Sequence, residues 1–293
     1  MKRKARKHFA FVEAKRRKIS SGNAGKFTIS KKSIFAAILQ HTHQIMTRSA
    51  TLLSDLETAK AAGEKKFAVL IDPDKLRMGN TEEIIGKAVE AGVDYFFIGG
   101  SLIVNNMLDE CLKDIKKHSD IPTILFPGNN FQLSFHADAI LFLCWISGRN
   151  PELLIGNHVL AAPYLKVSPL QILPTGYILV DGGIDTTVRY ISNTNPVPHA
   201  KNDIALCTAL AGEMLGQRLI FMDAGSGAKT PVSTEMIETV SSAVGVPLIV
   251  GGGISTPEKA AANVRAGADV VVVGNAIEKD PGLMRELSAA VHG

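Results

Sequence analysis

Three glycine-bearing segments in the C-terminal part of the chain each follow a short apolar run. They are Ala224-Gly225-Ser226-Gly227 after 219–223, Gly251-Gly252-Gly253 after 246–250, and Gly274-Asn275 after 269–273. Glycine tolerates positive φ and lets a ligand approach the main chain, so amide N–H groups in such loops can converge on phosphate oxygens, helped by a following helix N-terminus. One such loop is equally a plain turn. Three after consecutive strands point to a phosphate site, provided the strands close into a barrel that puts the loops on one rim. Earlier in the chain, Asp72-Pro73-Asp74-Lys75 and Gly99-Gly100-Ser101 end two other runs. A carboxylate and a hydroxyl at neighbouring strand ends suit Mg²⁺, a hard cation that keeps several waters and bridges substrate phosphates. Asp72 is the first choice of metal ligand, against a reading in which Asp-Pro-Asp only shapes a turn. Asp223, at the end of its run, is placed to accept a proton from a substrate hydroxyl; the competing account is an Asp that caps the following loop.

The elements that must position these residues follow from hydrophobic period. From Lys66 onward, β-branched or aromatic runs alternate with segments of helical spacing, the signature of parallel βαβ units. The runs are 67–71, 94–98, 122–126, 138–142, 176–181, 219–223, 246–250 and 269–273. Helical spacing covers 81–92, 105–118, 151–161, 201–216, 233–244, 256–267 and 281–291, with Thr81-Glu82-Glu83 as one capped, acidic start. A further helix over 46–63 is expected to plug the bottom of the barrel. Only residues 127–137 separate the third and fourth strands, and they open with Pro127-Gly128-Asn129-Asn130, too short for a helix and two loops. The fold expected is an α/β (β/α)8 TIM barrel with an irregular or missing third helix, and the short interval reads equally as a cleft where something elongated could lie or as no more than a shortened helix. The likeness of 180–186 to 250–256 hints at duplication of a half-barrel.

Composition sets the bounds. At 293 residues, 46% hydrophobic and 20% charged, the chain supports one large domain. No apolar run reaches membrane-spanning length and the amino terminus is too charged for a secretory signal, so a soluble cytoplasmic protein is expected. Of 32 Lys/Arg and 28 Asp/Glu, residues 1–32 hold 12 and 1, so the remainder holds 20 and 27: a tail at +11 and a body at −7. Residues 1–45 are read as a basic extension, disordered or begun at too early a start codon, and 46–293 as the catalytic domain. No nucleic-acid partner is expected; peripheral contact with an anionic membrane surface is the alternative role for such a tail. Cys111, Cys144 and Cys207 form no zinc or redox pattern and read as buried free thiols. His118, His136, His158 and His199 show no metal-ligand spacing. Trp145 serves either a groove or the core. No nucleophile-elbow, Walker A or dinucleotide-binding motif is present.

Taken together, DPDK, IGGS, FPGN, SGRNP, GYILVDGG, ISNTNPVP, ALAGEMLG, AGSGA, VGGGI and VVVGN, from about residue 46 to the end, resemble the geranylgeranylglyceryl phosphate synthases. The resemblance implies a (β/α)8 barrel without a regular third helix that uses Mg²⁺ to transfer a geranylgeranyl group from its diphosphate to the C3 hydroxyl of sn-glycerol 1-phosphate. Carried over by position, it implies Asp72 and Ser101 at the metal. It implies Phe221, Met222, Asp223, Ala224, Gly225, Ser226 and Gly227, with Gly252, Gly253, Gly274 and Asn275, around glycerol phosphate. It also implies an assembly of identical chains. The family commonly reads Tyr-Leu-Glu where this chain has Phe221-Met222-Asp223, which removes a phenol and shortens the acid that would act as base. Related heptaprenyl-transferring enzymes of Bacillus-type bacteria carry Lys where this chain has Leu70, so the geranylgeranyl branch is favoured. The prenyl tail is expected across the opening at 127–137, past Phe126, Phe131 and Trp145. Another phosphosugar isomerase or synthase barrel, or a non-catalytic anion-binding barrel, remains the alternative.

Overall fold

The computed structural model describes residues 52–74, 81–105 and 107–293; the basic segment 1–45, the start of the plug helix and Lys75 lie outside them. All eight runs form strands: β1 (Lys66–Ile71), β2 (Tyr95–Ile98), β3 (Thr123–Leu125), β4 (Ala139–Cys144), β5 (Gln171–Leu179), β6 (Leu219–Asp223), β7 (Leu248–Gly251) and β8 (Val270–Val273). They pair in chain order, all parallel, and β1 closes on β8 with Ala68 opposite Val272. Because side chains alternate along a strand, each strand feeds two cores. Ala68, Phe97, Tyr177, Phe221 and Val272 fill the barrel interior, whereas Val69, Phe96, Ile178, Met222 and Val271 pack under the outer helices. A strand buried on both faces reads as an unbroken apolar run, which is why Val270–Val273 is valine throughout.

Three aspartates just before strands fasten the lower face of the barrel. Asp94 accepts the N–H of Phe67 at 2.7 Å, Asp138 that of Thr123 at 2.8 Å, and Asp269 that of Leu248 at 2.9 Å. Asp269 also pairs with Lys60 and Lys65. A helix over 52–62, α1, closes this end as expected: Leu56 is buried in the interior cluster, and the Leu52 N–H donates to Gln171 Oε1.

The outer helices are α2 (Thr81–Glu90), α3 (Leu108–His118), α4 (Asn157–Leu165), α5 (Thr187–Ser192), α6 (Asn202–Met214), α7 (Thr234–Ser241), α8 (Pro257–Arg265), α9 (Asn275–Lys279) and α10 (Leu283–His292). Thr186, Ser233 and Thr256 cap α5, α7 and α8 through their side-chain oxygens. No helix lies between β3 and β4, as the short interval requires.

Several details depart from expectation. The helix expected at 151–161 starts as a π turn, Glu152–Gly156, and α4 then runs on to Leu165. α5 and α9 were not foreseen. β5 begins at Gln171, five residues early. Of the three thiols only Cys111 is buried; Cys144 is half-buried and Cys207 exposed on α6. Among the described residues no helix is long and apolar enough to cross a membrane.

Candidate active site

The parallel barrel sends the loops after β6, β7 and β8 to one rim, and they meet there. Ser226 Oγ donates to Asn275 Oδ1 at 2.9 Å, joining the first loop to the third. Gly252 lies so close to the first loop that a Cβ would fall 2.5 Å from Asp223 Oδ1 and 2.6 Å from the Ala224 nitrogen, at a φ of +83°. Only glycine lets these two backbones touch. Among the described residues, the N–H groups of Ser226, Gly227, Gly252, Gly253, Gly274 and Asn275 donate to no protein acceptor, and all six residues line one cavity of about 520 Å³. Main-chain donors that line a cavity and find no partner in the protein are free to take an anion or water.

Asp223 stands at the inner wall of that cavity. Its Oδ2 accepts the Tyr177 hydroxyl at 2.7 Å and its Oδ1 the Gly225 N–H at 2.7 Å. Burial pushes its proton affinity above the ordinary carboxylate range; the bonds from Tyr177 and Gly225 pull it back. Burial first, then the neighbouring carboxylate, pushes the Tyr177 phenol far above its usual value, so it stays a donor. Sequence reasoning missed Tyr177. Register supplies the signal: Tyr177 is opposite Phe221, and both point inward.

The phenol absent at 221 is therefore present one strand away. Phe221 instead stacks on Phe126, with ring centroids 5.1 Å apart, and meets Tyr177 edge-on. Trp145 lies 4.5 Å from Tyr177, centroid to centroid. These rings form an aromatic floor.

Across the cavity, the carboxyl of Asp72 faces Gly100, whose Cβ would come within 3.4 Å of it. Ser101 follows directly, and Asp72 and Ser101 both line the cavity. The loop carrying Ser101 is stitched down by buried Gln132, which accepts the N–H of Gly128 at 3.0 Å and donates to Gly100 O at 2.7 Å. Asp74 accepts the N–H of Val104 and Asn105 from the same loop. Among the described residues no three His, Cys, Asp or Glu side chains cluster as metal ligands. One carboxylate and one hydroxyl fit a hard cation that takes its other oxygens from water and phosphate.

Of the residues expected around glycerol phosphate, Phe221, Asp223, Ser226, Gly227, Gly252, Gly253, Gly274 and Asn275 line the cavity. Met222 and Ala224 instead pack in the outer core, and Gly225 spends its N–H on Asp223. Phe126 and Trp145 line the cavity too, but Phe131 is 94% exposed and is not part of its lining. It is carried outward by the turn at Asn129, whose side chain accepts its N–H. A smaller apolar cavity of about 50 Å³ continues behind Trp145 and Leu153, between the irregular 127–133 segment and α4. His158 lines it with an unpartnered Nδ1, its proton affinity lowered by burial. The unforeseen α5 supplies Thr187, Val188, Ile191 and Ser192 to the mouth.

Fold and rim together define a (β/α)8 barrel with a cavity lined by the glycine loops after its last three strands. The PcrB family model matches residues 60–291, and the chain belongs to the PcrB family. It is 58% identical over 233 residues to geranylgeranylglyceryl phosphate synthase of Chitinophaga pinensis, covering 80% of this chain and 92% of that one. The synthase of Spirosoma linguale is 52% identical over 241 residues, covering 82% and 96%. Among solved structures, (S)-3-O-geranylgeranylglyceryl phosphate synthase from Thermoplasma acidophilum, in complex with substrate sn-glycerol-1-phosphate, superposes with a TM-score of 0.78 at 31% identity, covering 83% of this chain and 98% of that one.

Proposed function

We propose that this barrel transfers a geranylgeranyl group from geranylgeranyl diphosphate to the C3 hydroxyl of sn-glycerol 1-phosphate, making an ether-lipid precursor. The observation that carries the reading is a single cavity that joins six unspent amides, a buried carboxylate held by a phenol, a second carboxylate beside a hydroxyl, and an apolar end. The names of the Chitinophaga, Spirosoma and Thermoplasma relatives support it.

In this reading the amides of Ser226, Gly227, Gly252, Gly253, Gly274 and Asn275 grip the phosphate dianion and fix the glycerol, so that positioning supplies much of the acceleration. Asp223 takes the proton of the C3 hydroxyl. The C3 oxygen forms a bond to the allylic C1 carbon as the bond from that carbon to the diphosphate oxygen breaks, and the diphosphate departs with the electron pair. Tyr177 holds the Asp223 carboxylate in place through the transfer. Asp72 and Ser101 would hold Mg²⁺, which when bound neutralises charge on the leaving diphosphate. Phe126, Trp145 and the aromatic floor exclude water from the allylic carbon. Leu70, uncharged in the cavity wall, favours the geranylgeranyl over the heptaprenyl donor.

The test is one incubation with labelled sn-glycerol 1-phosphate, Mg²⁺ and prenyl diphosphates of graded length, followed by organic extraction. Label in the organic phase, greatest with the twenty-carbon donor, is expected. Turnover of glycerol phosphate or a phosphosugar without any prenyl donor would overturn the reading.

A further inference from the structure

The rim of the barrel is divided into two kinds of surface. The half after β6, β7 and β8 carries the glycine loops and, among the described residues, no exposed large apolar side chain. The half after β2, β3 and β5 is the reverse. Leu102 and Val104 follow β2, Phe131 follows β3, and Tyr190 and Ile191 stand on α5 after β5. All five are exposed, Val104, Phe131 and Tyr190 at 79–94%. Leu102 and Ile191 also line the cavity, so this apolar half-rim continues from the cavity wall onto the outer surface. Single exposed apolar residues are ordinary; a group of them around the mouth of a cavity marks a surface that meets something apolar.

The charges around it suit an anionic surface. Arg149, exposed on the loop after β4, gives its Nη1 to the main-chain oxygens of Ile146 and Gly148 and pairs with no carboxylate among the described residues. Asp185, just before α5, is neutralised by Arg189 at 3.0 Å. The sequence adds 12 Lys/Arg against the single Glu13 over residues 1–32. Clustered basic residues are drawn to anionic headgroups within a Debye length. One weak signal gives only marginal membrane binding, whereas an apolar contact and a basic segment together anchor a protein that has no spanning helix.

We infer that this chain docks on an anionic lipid bilayer, with Val104, Phe131 and Tyr190 entering the headgroup layer, the basic segment 1–32 supplying attraction, and the mouth of the cavity opening onto the membrane. The docking needs only those two surface features; its purpose rests on the prenyl-transfer reading. In that reading donor and product each carry a long hydrocarbon chain that water disfavours. A mouth on the bilayer takes in the one and releases the other without passing either chain through water. A second copy of this chain would cover the apolar residues too, but its own basic segment would repel this one.

Flotation of the full chain with lipid vesicles is the test. Binding is expected to vesicles of equal parts phosphatidylcholine and phosphatidylglycerol, with at least about tenfold less to phosphatidylcholine alone or in molar salt. Phe131→Ser is expected to weaken that binding about tenfold while turnover of donor dispersed in detergent is unchanged. The triple change Arg16→Gln, Arg17→Gln, Lys18→Gln is expected to weaken it by about tenfold or more, whereas Val89→Ser, on exposed α2, leaves it intact. Hydrogen exchange on the wild-type chain needs no variant: the amides of 129–131 gain protection on the anionic vesicles and those of 283–292 do not. A chain that makes the prenyl ether but does not float with anionic vesicles would overturn the docking alone. So would flotation that Phe131→Ser leaves unchanged, or a Phe131→Ser that instead lowers the sedimenting mass of the vesicle-free chain, which would give the surface to a second copy. A chain that floats as described yet makes no ether from detergent-dispersed donor would defeat the transferase reading and leave the docking standing.

Discussion

Replacing Tyr177 by Phe removes one hydroxyl from a buried pair and leaves the ring that packs on Trp145 and Phe221. The lost bond, 2.7 Å to Asp223 Oδ2, favours the carboxylate over the carboxylic acid. A hydrogen bond to a charged acceptor is worth about 1.5–3 kcal/mol, which is about 1–2 pKa units at 1.36 kcal/mol per unit. Both side chains are buried, so solvent does not dilute the effect. The sign follows directly. Burial already lifts Asp223 above the ordinary carboxylate range, and loss of the donor lifts it further, so the base is protonated up to a higher pH. The acid limb of log kcat against pH, measured with both substrates saturating, should move upward by about 1–2 units in Tyr177→Phe. Asp223→Asn should lose most turnover and show no such limb. An acid limb that stays put in Tyr177→Phe, or moves to lower pH, refutes the pairing of Tyr177 with a catalytic Asp223.

Other outcomes follow from the same geometry. Asp72→Ala is expected to abolish prenyl transfer while calorimetric affinity for glycerol phosphate holds, since Asp72 lies across the cavity from the amide rim. Gly252→Ala forces a side chain into left-handed backbone, at about 1–2 kcal/mol, and onto Asp223 and the Ala224 amide. A lower Tm by at least about 3 °C and weaker glycerol phosphate binding by more than about tenfold should follow. Phe131→Ala should leave turnover with geranylgeranyl diphosphate unchanged, because that ring lies on the surface.

Much of the barrel was readable because a strand buried on both faces is a dense apolar run, and eight such runs leave few other architectures. The start of β5 was hidden by Pro174, which reads as a strand breaker. The structure tolerates it because pairing with β6 begins one residue later, at Thr175 opposite Leu219, so no rung needs the missing N–H. α5 and α9 are too short for a helical period to show, although Thr186 before α5 and left-handed Asn193 after it are its cap residues. The glycine loops were legible at the site because backbone freedom is written in residue type. Tyr177 and Gln132 were not, because their roles come from register and from contacts made across the chain, at separations of 46 and 32 residues.

Main-chain capture of a phosphate dianion is the claim on which the proposed chemistry depends. Titration of the ¹⁵N-labelled full chain with sn-glycerol 1-phosphate, followed amide by amide, tests it directly. The amide protons of Ser226, Gly227, Gly252, Gly253, Gly274 and Asn275 should shift downfield together and saturate on one binding curve. Saturable binding that leaves those six resonances unmoved, and shifts others at the α1 end of the barrel, would contradict the account.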